Sequence, residues 1–508
     1  MRRLNTVVVS SGFMASLLAI GCAERDPISG PDLPIQAKPA GAGLKVTPPM
    51  LNFSELGGTA TLTASASASP ISVAVSTPEC VSVSLKSGQP KQSKFTVTAT
   101  AAGSCTLTVT DGATGNVQVP VTVTVAPSLV VSTLAAGLFH TCGLDVNGAA
   151  WCWGDNGFGQ LGNSNTVGSV TANPTPEPVV GGLTFVSLTA GHHHTCGLTS
   201  AGAAYCWGGN RYGQLGNSTN SGVEFGTNPT PLPVDGNLAF SILVAGVDHA
   251  CGITPQGVMY CWGKNYQGQL GTGTDNGTII PHPTPAPVDG NLTFTAVTGG
   301  TNHTCGVATG GAVYCWGNNF KGQLGNSQDL GDELAAHPTP TQVPGVSLAS
   351  LEAGGNWNCG LTSTGSAWCW GDNLFGQLAG TTDGISPTPV EVPGGISFVS
   401  LDAGGGHVCG LVSQGALYCW GANLLGQLGT AVNFGTSTPS YVPTLVNVAG
   451  LARIAVNAAH TCGLTPAGVA WCWGYNRYGQ LGTLTNNNTD TGVPTPDMVL
   501  GGITFATP

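Results

Sequence analysis

The chain has 508 residues, of which 78 are glycine, whereas only 13 are Lys or Arg and 24 are Asp or Glu. Glycine at this density breaks helix interiors, and Val, Thr, Leu and Ala dominate the remainder, so the composition excludes a helical bundle and favours an all-β fold with many turns. The net charge of −11 and the scattered basic residues exclude nucleic-acid binding, which requires a basic surface.

A signal peptide is predicted over residues 1–21. Two arginines precede an apolar run that ends at Ile20, and this run is too short for a comfortable membrane span. Cys22 directly follows Gly21, an arrangement that resembles the lipobox of bacterial lipoproteins, in which this cysteine is lipidated and becomes the mature N-terminus. The odd total of 17 cysteines agrees with one unpaired residue. The alternative is ordinary cleavage after Gly21, which leaves Cys22 as a free thiol.

Two segments of different texture follow the signal peptide. Residues 22–43 are rich in Pro, Gly and Ala and predict a flexible tether, which with lipidation places the protein at the outer membrane or the cell surface. Residues 44–126 alternate apolar and hydroxyl side chains with a period of two, which predicts six or seven short antiparallel strands. This pattern resembles bacterial immunoglobulin-like β-sandwiches, with one disulfide between Cys80 and Cys105. Such a domain serves either as a spacer or in adhesion.

The remaining cysteines reveal seven repeats. Successive first members lie 50 to 55 residues apart, a period typical of propeller blades. Each unit reads H-T-C-G-L-x3-G-x2-[WY]-C-W-G-x-N-x2-G-Q-L-G with few departures. The pairs are Cys142 and Cys152, Cys196 and Cys206, Cys251 and Cys261, Cys305 and Cys315, Cys359 and Cys369, Cys409 and Cys419, and Cys462 and Cys472.

A glycine four positions before the second cysteine predicts how each pair is joined. A three-residue loop that closes with a left-handed glycine, such as Ser200-Ala201-Gly202, brings the two cysteines face to face on neighbouring strands. We therefore expect a disulfide across each hairpin, which requires an oxidising compartment.

The competing interpretation of the repeat is a metal site, because a histidine stands two positions before the first cysteine in six units. A zinc site needs four ligands, often with closely spaced cysteines, and the fifth unit has Trp357 instead. The histidines are therefore interpreted as structural groups that hydrogen-bond the backbone near the propeller axis. They are His140, His194, His249, His303, His407 and His460.

The block Trp-Gly-x-Asn-x-x-Gly-Gln-Leu-Gly is expected to build the contacts between blades. Tryptophans such as Trp153 point away from the disulfide and can fill the space between blades. Asparagines such as Asn156 tolerate left-handed turns and can bond neighbouring backbone, and Gln160 and its equivalents are expected to satisfy buried backbone groups. Gly162 and its equivalents allow a tight turn, with Ala379 as the exception. A Pro-x-Pro segment then starts an edge strand.

These units resemble the regulator-of-chromosome-condensation repeat family. The resemblance implies a seven-bladed β-propeller over residues 127–508, in an all-β chain. The disulfide in every blade is a departure that nuclear and cytosolic members do not need. The segment Gly501–Phe505 matches Gly181–Phe185 ahead of the second unit, so we expect it to supply what the first unit lacks and to close the ring.

Variable positions inside the fixed motif are the candidate partner-binding residues. The two positions between Asn and Gly carry aromatic and basic side chains, which are enriched at binding hot spots; the alternative is that these rings pack between blades. They include Phe158, Arg211, Tyr212, Tyr266, Phe320, Lys321, Phe375, Arg477 and Tyr478. The loops after each GQLG block, such as 163–173 and 326–336, vary in length and form a second candidate surface.

The expected function is a binding module for an extracellular or periplasmic protein, acting as a monomer that meets the membrane only through its lipid. The resemblance implies several activities: some secreted bacterial members bind and inhibit extracellular proteins such as β-lactamases, and eukaryotic members exchange guanine nucleotide on small GTPases or sense ultraviolet light. Export argues against nucleotide exchange. A polysaccharide-active enzyme is not expected, because the same polar residues recur in every blade and an active site needs unlike groups that converge. No metal or cofactor is expected, and a structural envelope protein without a specific ligand is the alternative.

Overall fold

The structure is a computed structural model that describes residues 44–53, 59–66, 70–75, 81–89, 92–99, 103–111, 115–123, 134–380, 384–448 and 450–506. The chain divides into two compact units, Met1–Val125 and Ala126–Pro508. The predicted signal peptide, the tether with Cys22, and Cys80 lie outside the described residues. Within the described part of the chain, no helix is long and apolar enough to cross a lipid bilayer.

The first unit contains two four-stranded sheets. Its strands are, in chain order, β1 (Lys45–Thr47), β2 (Leu51–Phe53), β3 (Thr59–Ser65), β4 (Ser72–Val75), β5 (Val81–Gln89), β6 (Gln92–Ala99), β7 (Gly103–Thr110) and β8 (Asn116–Val123). One sheet has the order β1-β3-β6-β5 and the other β2-β8-β7-β4. Neighbouring strands are antiparallel except for the parallel pair β2 and β8.

A single buried core joins these two sheets. Leu62 of β3 and Val97 of β6 are buried together with Leu107 of β7 and Val119 of β8. Because successive side chains of a strand point to opposite faces, the intervening Thr and Ser residues lie on the outer faces. Two sheets that share one core are what a β-sandwich requires, and the immunoglobulin-like identity stays a prediction.

The second unit contains seven four-stranded sheets, which are the blades of a β-propeller. Blades 1 to 4 consist of β9 (Leu134–Ala136), β10 (His140–Leu144), β11 (Ala150–Gly154) and β12 (Asn173–Pro178); β13 (Ser187–Ala190), β14 (His194–Leu198), β15 (Ala204–Gly208) and β16 (Leu232–Pro233); β17 (Ile242–Ala245), β18 (His249–Ile253), β19 (Met259–Gly263) and β20 (His282–Pro287); and β21 (Phe294–Gly299), β22 (His303–Ala308), β23 (Ala312–Gly317) and β24 (His337–Ser347). Blades 5 to 7 consist of β25 (Ser350–Ala353), β26 (Trp357–Leu361), β27 (Ala367–Asp372) and β28 (Ile385–Glu391); β29 (Ser400–Ala403), β30 (His407–Leu411), β31 (Leu417–Gly421) and β32 (Ser440–Val446); and β33 (Arg453–Asn457), β34 (His460–Leu464), β35 (Ala470–Gly474) and β36 (Val493–Met498).

The first strands of successive blades contact one another in a closed circle. Strand β9 contacts β13 on one side and β33 on the other, so blade 7 meets blade 1. The first strands therefore surround the axis, and the fourth strands form the outer edges. These outer strands carry the predicted Pro-x-Pro segments, such as Pro174–Pro176 in β12, and proline at an edge blocks further strand pairing.

The hairpin between the second and third strands has the predicted three-residue loop. In blade 1 the Asp145 N–H donates to the Ala149 carbonyl at 2.9 Å, which closes the loop around residues 146–148. Gly148 has φ +79°, and the equivalent glycine of every other blade is also left-handed. A side chain would be strained at this position, so glycine sets the register that places Cys142 opposite Cys152.

Tryptophans fill the space between blades, as the motif predicts. Trp153 is fully buried among residues of blade 7 such as Leu481, and its indole N–H donates to the Gln480 carbonyl at 2.9 Å. Trp207 bonds the Gln160 carbonyl of blade 1 in the same way. Each blade is thus fastened to the blade before it by one buried indole.

The C-terminal segment completes blade 1 through packing. Phe505 lies 5.8 Å from Trp153, the centroid distance that also separates Phe185 from Trp207 in blade 2. A single bridge joins Phe505 to Asp145, so the segment closes the ring without adding a strand.

Candidate functional site

Each blade carries one buried disulfide between its second and third strands. The structure joins Cys142 to Cys152 and the other six pairs of the same spacing. The sulfurs lie inside the blade and are inaccessible to solvent, so they brace the frame and are not available for redox chemistry with a large partner. Nothing is described of the side chain of Cys105 or of Cys80, so their pairing stays a prediction.

The buried histidines connect neighbouring blades. His140 Nε2 lies 2.8 Å from Thr195 Oγ1 in blade 2, and that hydroxyl donates to the Gln160 carbonyl at 3.0 Å. Because the hydroxyl hydrogen is used there, the imidazole must be the donor to the threonine oxygen. The expectation that these histidines bond the backbone was therefore wrong for the five that have a partner, because each of them bonds a side chain of the next blade. That side chain lies about one repeat away in sequence except where the ring closes, at His460 and Thr141.

Three blade boundaries depart from this His–Thr contact. His303 bonds Asn358 Oδ1 at 3.0 Å, and Trp357 of blade 5 lies in a cluster with Val408 of blade 6. At the boundary of blades 2 and 3 the threonine is replaced by Ala250, and both ring nitrogens of His194 are buried without a hydrogen-bond partner. Of these three boundaries, the one between blades 2 and 3 therefore leaves a buried histidine without a hydrogen-bond partner.

Burial keeps these imidazoles neutral. Desolvation lowers the pKa of His194, His249 and His407 to about 3 and that of His303 and His460 to about 4. A neutral histidine at the axis is a structural group at ordinary pH. Among the described residues, no group of three or more His, Cys, Asp or Glu side chains is placed to hold a metal ion.

The Asn and Gln of the motif hold the turn after the third strand. Asn156 Oδ1 accepts the Leu161 N–H at 2.9 Å, and Gln160 Oε1 accepts the Phe158 N–H at 2.8 Å. The predicted role of the glutamine is therefore observed. The asparagine has no left-handed backbone; Gly159 and Gly162 take the positive φ angles instead, so the asparagine acts through its amide alone.

The candidate binding residues all lie on one end of the propeller, which we call the loop face. It comprises the inner loops between first and second strands, such as 137–139, and the turns after the third strands. Backbone hydrogen bonds join the two sets: the Asp155 N–H donates to the Phe139 carbonyl and the Gly209 N–H to the His193 carbonyl. The opposite end, the hairpin face, carries the disulfide-braced hairpins.

Blades 2 and 7 share the sequence Asn-Arg-Tyr-Gly and the same ion pair. Arg211 Nη1 lies 2.7 Å from Glu224 Oε1, and Arg477 Nη1 lies 2.7 Å from Asp490 Oδ1. In both blades the acid stands thirteen residues after the arginine. The pair therefore ties the outer loop of its own blade to the loop face.

Aromatic side chains of the loop face pack across blade boundaries yet keep solvent-accessible edges. Tyr478 lies 4.8 Å from Phe139 of the next blade, and Phe158 lies 4.6 Å from His193 of the next blade. Arg211 and Lys264 each lie over the ring of Tyr212, at 5.3 and 5.4 Å. The two interpretations of these positions are thus compatible: packing between blades orders the rings, and their edges remain available.

The other candidates lie in blades 3 to 5. Phe320 and Lys321 of blade 4 contact each other at 4.8 Å, and Phe375 of blade 5 is 43% exposed. Tyr266 of blade 3 is half-buried. The ordered cluster of rings and arginines is therefore concentrated in blades 7, 1 and 2, which we call the aromatic arc.

A cleft of about 260 Å³ opens in the loop face at blade 2. Its lining is Phe158, His192, His193, Gly209, Arg211, Tyr212, Gln214, Glu224, Phe225 and Asp248. Desolvation lowers the pKa of both His192 and His193 to about 4, and burial raises the pKa of Asp248 against the opposing effect of Lys264. Lys264 Nζ stands 3.8 Å from the Asp248 carboxylate.

Sequence reasoning singled out Phe158, Arg211 and Tyr212 at this cleft but missed Gly209 and the inner-loop residues. The signal for Gly209 was available, because the position between Trp-Gly and Asn can be compared among the repeats. The inner-loop residues follow no pattern, since their two positions differ in nearly every unit.

Two models of the regulator of chromosome condensation (RCC1) repeat match this chain. One matches residues 147–198, 201–253, 256–307, 310–359 and 414–464, just over half of the chain. The other matches a shorter segment in all seven units, at 131–160, 185–214, 241–269, 294–323, 349–377, 398–427 and 452–480.

Known proteins of similar sequence and structure share the repeat. The ultraviolet-B receptor UVR8 of Arabidopsis thaliana is 29% identical over 279 residues, which cover 54% of this chain and 61% of the receptor. The E3 ubiquitin-protein ligase HERC2 of Homo sapiens is 28% identical over 286 residues, which cover 54% of this chain but 6% of the ligase. The matched region therefore spans less than two thirds of either relative. The structure of Prp20p from Saccharomyces cerevisiae superposes with a TM-score of 0.60 at 20% identity, covering 74% of this chain and 88% of that one, which shows the fold.

Proposed function

The chain belongs to the regulator of chromosome condensation (RCC1) repeat family, and from that premise we propose that it is an exported protein-binding module. In this proposal the loop face binds an extracellular or periplasmic protein. A lipid on Cys22 anchors the chain at the outer membrane or the cell surface, and the tether and the first unit hold the propeller away from the bilayer.

The observation that carries the proposal is the preorganised aromatic arc. Tyr478 and Phe158 are fixed by rings of the next blade, and Arg211 and Arg477 by acids of their own blades. Both arginine side chains are nearly half exposed, at 46% and 48%. Ordered Tyr, Phe and Arg side chains bind at a low entropic cost and are the residue types enriched at hot spots.

Charge supports a protein over a nucleic acid as the partner. Only five Lys or Arg residues occur in 127–508, and three of them already pair with acids on the loop face, namely Arg211, Lys264 and Arg477. A phosphate backbone would find few free cations there. Solved structures of the yeast relative show RCC1 (Prp20) bound to Kap60 and describe the binding of Prp20p to Gsp1p and histones. Propellers of this fold therefore bind proteins in those cases.

The disulfides support export. A bridge in each of seven blades persists only in an oxidising compartment, and cytosolic thiols are kept reduced. A guanine-nucleotide exchange role would require a cytosolic partner, and this makes an extracellular or periplasmic protein the better candidate.

The test compares two surface variants in a capture experiment. The oxidised chain is immobilised through a C-terminal tag and incubated with envelope and secreted proteins of the source cells. The loop-face variant is Tyr212→Ala with Arg477→Ala and Tyr478→Ala. The matched hairpin-face control is Val146→Ala with Val258→Ala and Val399→Ala, which are exposed by 67%, 38% and 61%.

We expect a protein that the unaltered chain and the hairpin-face control capture equally and that the loop-face variant captures at least tenfold less. All three chains should unfold in one cooperative transition well above the temperature of the capture experiment, with a somewhat lower midpoint for the loop-face variant because Tyr478 packs against Phe139. Equal capture by both variants would overturn the proposal, and an absence of any captured protein would favour the structural envelope role.

A further inference from the structure

One position of the motif lacks a side chain in a single blade. The residue between Trp-Gly and Asn bears a side chain in every unit except the second, where it is Gly209. The equivalents are Asp155, Lys264, Asn318, Asp372, Ala422 and Tyr475. Gly209 lines the cleft of the loop face, so the missing side chain and the cleft coincide.

Blade 7 shows what fills this space when a side chain is present. The ring of Tyr475 lies 6.5 Å from Tyr478 of its own blade and 5.9 Å from Phe139 of the next blade. Its hydroxyl donates to Asp490 Oδ1 at 2.9 Å, the carboxylate that also pairs with Arg477. A phenol is thus held by a tyrosine, an inner loop and the acid of the Asn-Arg-Tyr-Gly ion pair.

Blade 2 has the corresponding frame without the ring, although an aspartate stands where blade 7 meets a phenylalanine. Tyr212 corresponds to Tyr478, Glu224 to Asp490, and Asp248 occupies the inner-loop position of Phe139. All three line the cleft. The backbone is placed alike, since the Gly209 N–H donates to the inner-loop carbonyl of its own blade at 2.7 Å and the Tyr475 N–H does so at 2.9 Å.

The space at Gly209 is open to a side chain. A Cβ built on this glycine would lie 3.6 Å from the Phe158 ring and no closer than 3.5 Å to the backbone, which are ordinary van der Waals distances. Gly209 does not have a left-handed backbone. Neither strain nor crowding therefore requires glycine here, and its effect is to leave the cleft.

The charges of the cleft favour a neutral occupant. Its two acids are each paired with a cation, Glu224 with Arg211 at 2.7 Å and Asp248 with Lys264 at 3.8 Å. The walls are aromatic, and a volume of about 260 Å³ suits one side chain better than a drug-sized ligand, whose pockets begin near 300 Å³. Glu224 keeps acceptor oxygens for a hydroxyl, because a carboxylate accepts more than one hydrogen bond.

We propose that the cleft of blade 2 receives a tyrosine side chain of the partner protein, which takes the place that Tyr475 occupies in blade 7. The phenol ring packs against Tyr212 and Phe158, and its hydroxyl donates to Glu224. This inference rests on the proposed protein-binding function and names the partner side chain for one part of the loop face.

The probe is N-acetyl-tyrosinamide, and N-acetyl-phenylalaninamide, which lacks only the hydroxyl, is the control. Each is titrated into the full oxidised chain while the NMR signals of His192 and His193 are followed. We expect saturable shifts with the tyrosine amide and at least fivefold weaker binding of the phenylalanine amide. The variant Glu224→Leu should abolish this preference without affecting folding, because its side chain is 58% exposed.

Two reciprocal variants make the test specific to the empty position. Gly209→Tyr should fill the cleft from within and weaken binding of the tyrosine amide at least tenfold. Tyr475→Gly should open an equivalent cleft in blade 7 and raise the number of bound amides from one to two. Equal binding of the two amides, or unchanged binding by Gly209→Tyr, would overturn the proposal even if capture of a partner by the loop face succeeds.

Discussion

The imidazole of His140 and the hydroxyl of Thr195 meet at 2.8 Å across the boundary between blades 1 and 2, both fully buried. The hydroxyl donates a hydrogen bond to the Gln160 carbonyl, which also accepts a hydrogen bond from the indole N–H of Trp207. One carbonyl, one hydroxyl, one imidazole and one indole therefore form a continuous chain of hydrogen bonds between two blades. The same chain recurs at other boundaries, which makes it a repeated joint of the ring.

Thr195→Val should destabilise the propeller by about 1–3 kcal/mol, because it leaves His140 Nε2 buried without a partner while preserving side-chain shape. Tryptophan fluorescence during denaturant unfolding measures this effect in the propeller alone, since all eleven tryptophans lie in residues 127–508. The matched variant Ala250→Thr gives His194 the partner that it lacks and should stabilise by about 0.5–1.5 kcal/mol. Effects of the same sign in both variants would contradict this account of the joint.

The stability of the propeller should fall as the pH is lowered from about 6.5 toward 4. The folded pKa of His407 is lowered to about 3 and that of His460 to about 4 by burial, whereas both approach 6.5 when the chain unfolds. Between these pH values the unfolded chain binds protons that the folded chain does not bind. The contribution of these histidines to the free energy of unfolding is fully present above the unfolded pKa, and below it decreases by about 1.4 kcal/mol per pH unit for each proton.

Two carboxyls near the axis oppose this trend. Burial raises the pKa of Asp402 to about 7 and, with the neighbouring Asp402, raises the pKa of Glu352. Each contributes stability that decreases as the pH rises toward its folded pKa. Unfolding midpoints measured from pH 4 to 8 should still rise to about pH 6.5, because burial lowers the pKa of nine histidines of the described residues and raises the pKa of only four carboxyls, Asp155 and Asp248 included. His460→Gln should reduce the slope by about one proton, and an unchanged slope would refute the assignment.

The repeated elements of this fold were predictable because their determinants are local in sequence. Cys142, Gly148 and Cys152 lie within one hairpin, so their spacing alone predicts the loop, the register and the disulfide. The tryptophan after each second cysteine was likewise predictable, since strand alternation fixes the side to which it points.

The contacts between blades were not predictable in detail. His140 and Thr195 are 55 residues apart, and a repeat pattern shows that equivalent residues recur but not which groups of adjacent units meet. The cleft was missed for a related reason: it arises from the side chain that Gly209 lacks. The space left by that missing side chain can be recognised only once the structure places Tyr212, Glu224 and Asp248 around it.

Gly197→Ala should destabilise the propeller by about 1–3 kcal/mol through crowding. A Cβ at this position would lie 2.5 Å from Cδ1 of Phe185, whose ring covers the second strand of blade 2. The matched control is Gly209→Ala, because a Cβ at this position would meet no atom closer than 3.5 Å. This variant should change the free energy of unfolding by less than about 0.5 kcal/mol. Thermal unfolding followed by fluorescence compares the two, and equal midpoints would show that the strand relaxes around the added methyl group.

The disulfide of one blade should contribute about 2–3 kcal/mol. The bond between Cys142 and Cys152 closes a short loop with a sequence separation of 10, and this is the expected loss of loop-closure entropy in the unfolded chain. The double variant Cys142→Ala with Cys152→Ala is compared with the unaltered chain by denaturant unfolding under oxidising conditions. In a reducing agent both chains should lose further stability and the difference between them should nearly vanish; a persistent difference would mean that packing of the sulfurs, and not the bond, accounts for the effect.

Lipidation of Cys22 is tested by expressing the full-length chain in a bacterial host that is fed an alkyne-labelled fatty acid. We expect the unaltered chain to carry the label and to fractionate with membranes, because the cysteine follows Gly21 at the predicted cleavage site. Cys22→Ser should abolish the label and release the chain into the soluble periplasmic or extracellular fraction with its propeller still folded. Cys80→Ser serves as the control for loss of an unrelated cysteine and should retain the label.

An unlabelled, correctly exported chain would instead support simple cleavage after Gly21. Cys22 would then react with a thiol reagent under native conditions, whereas the buried disulfides of the blades would not.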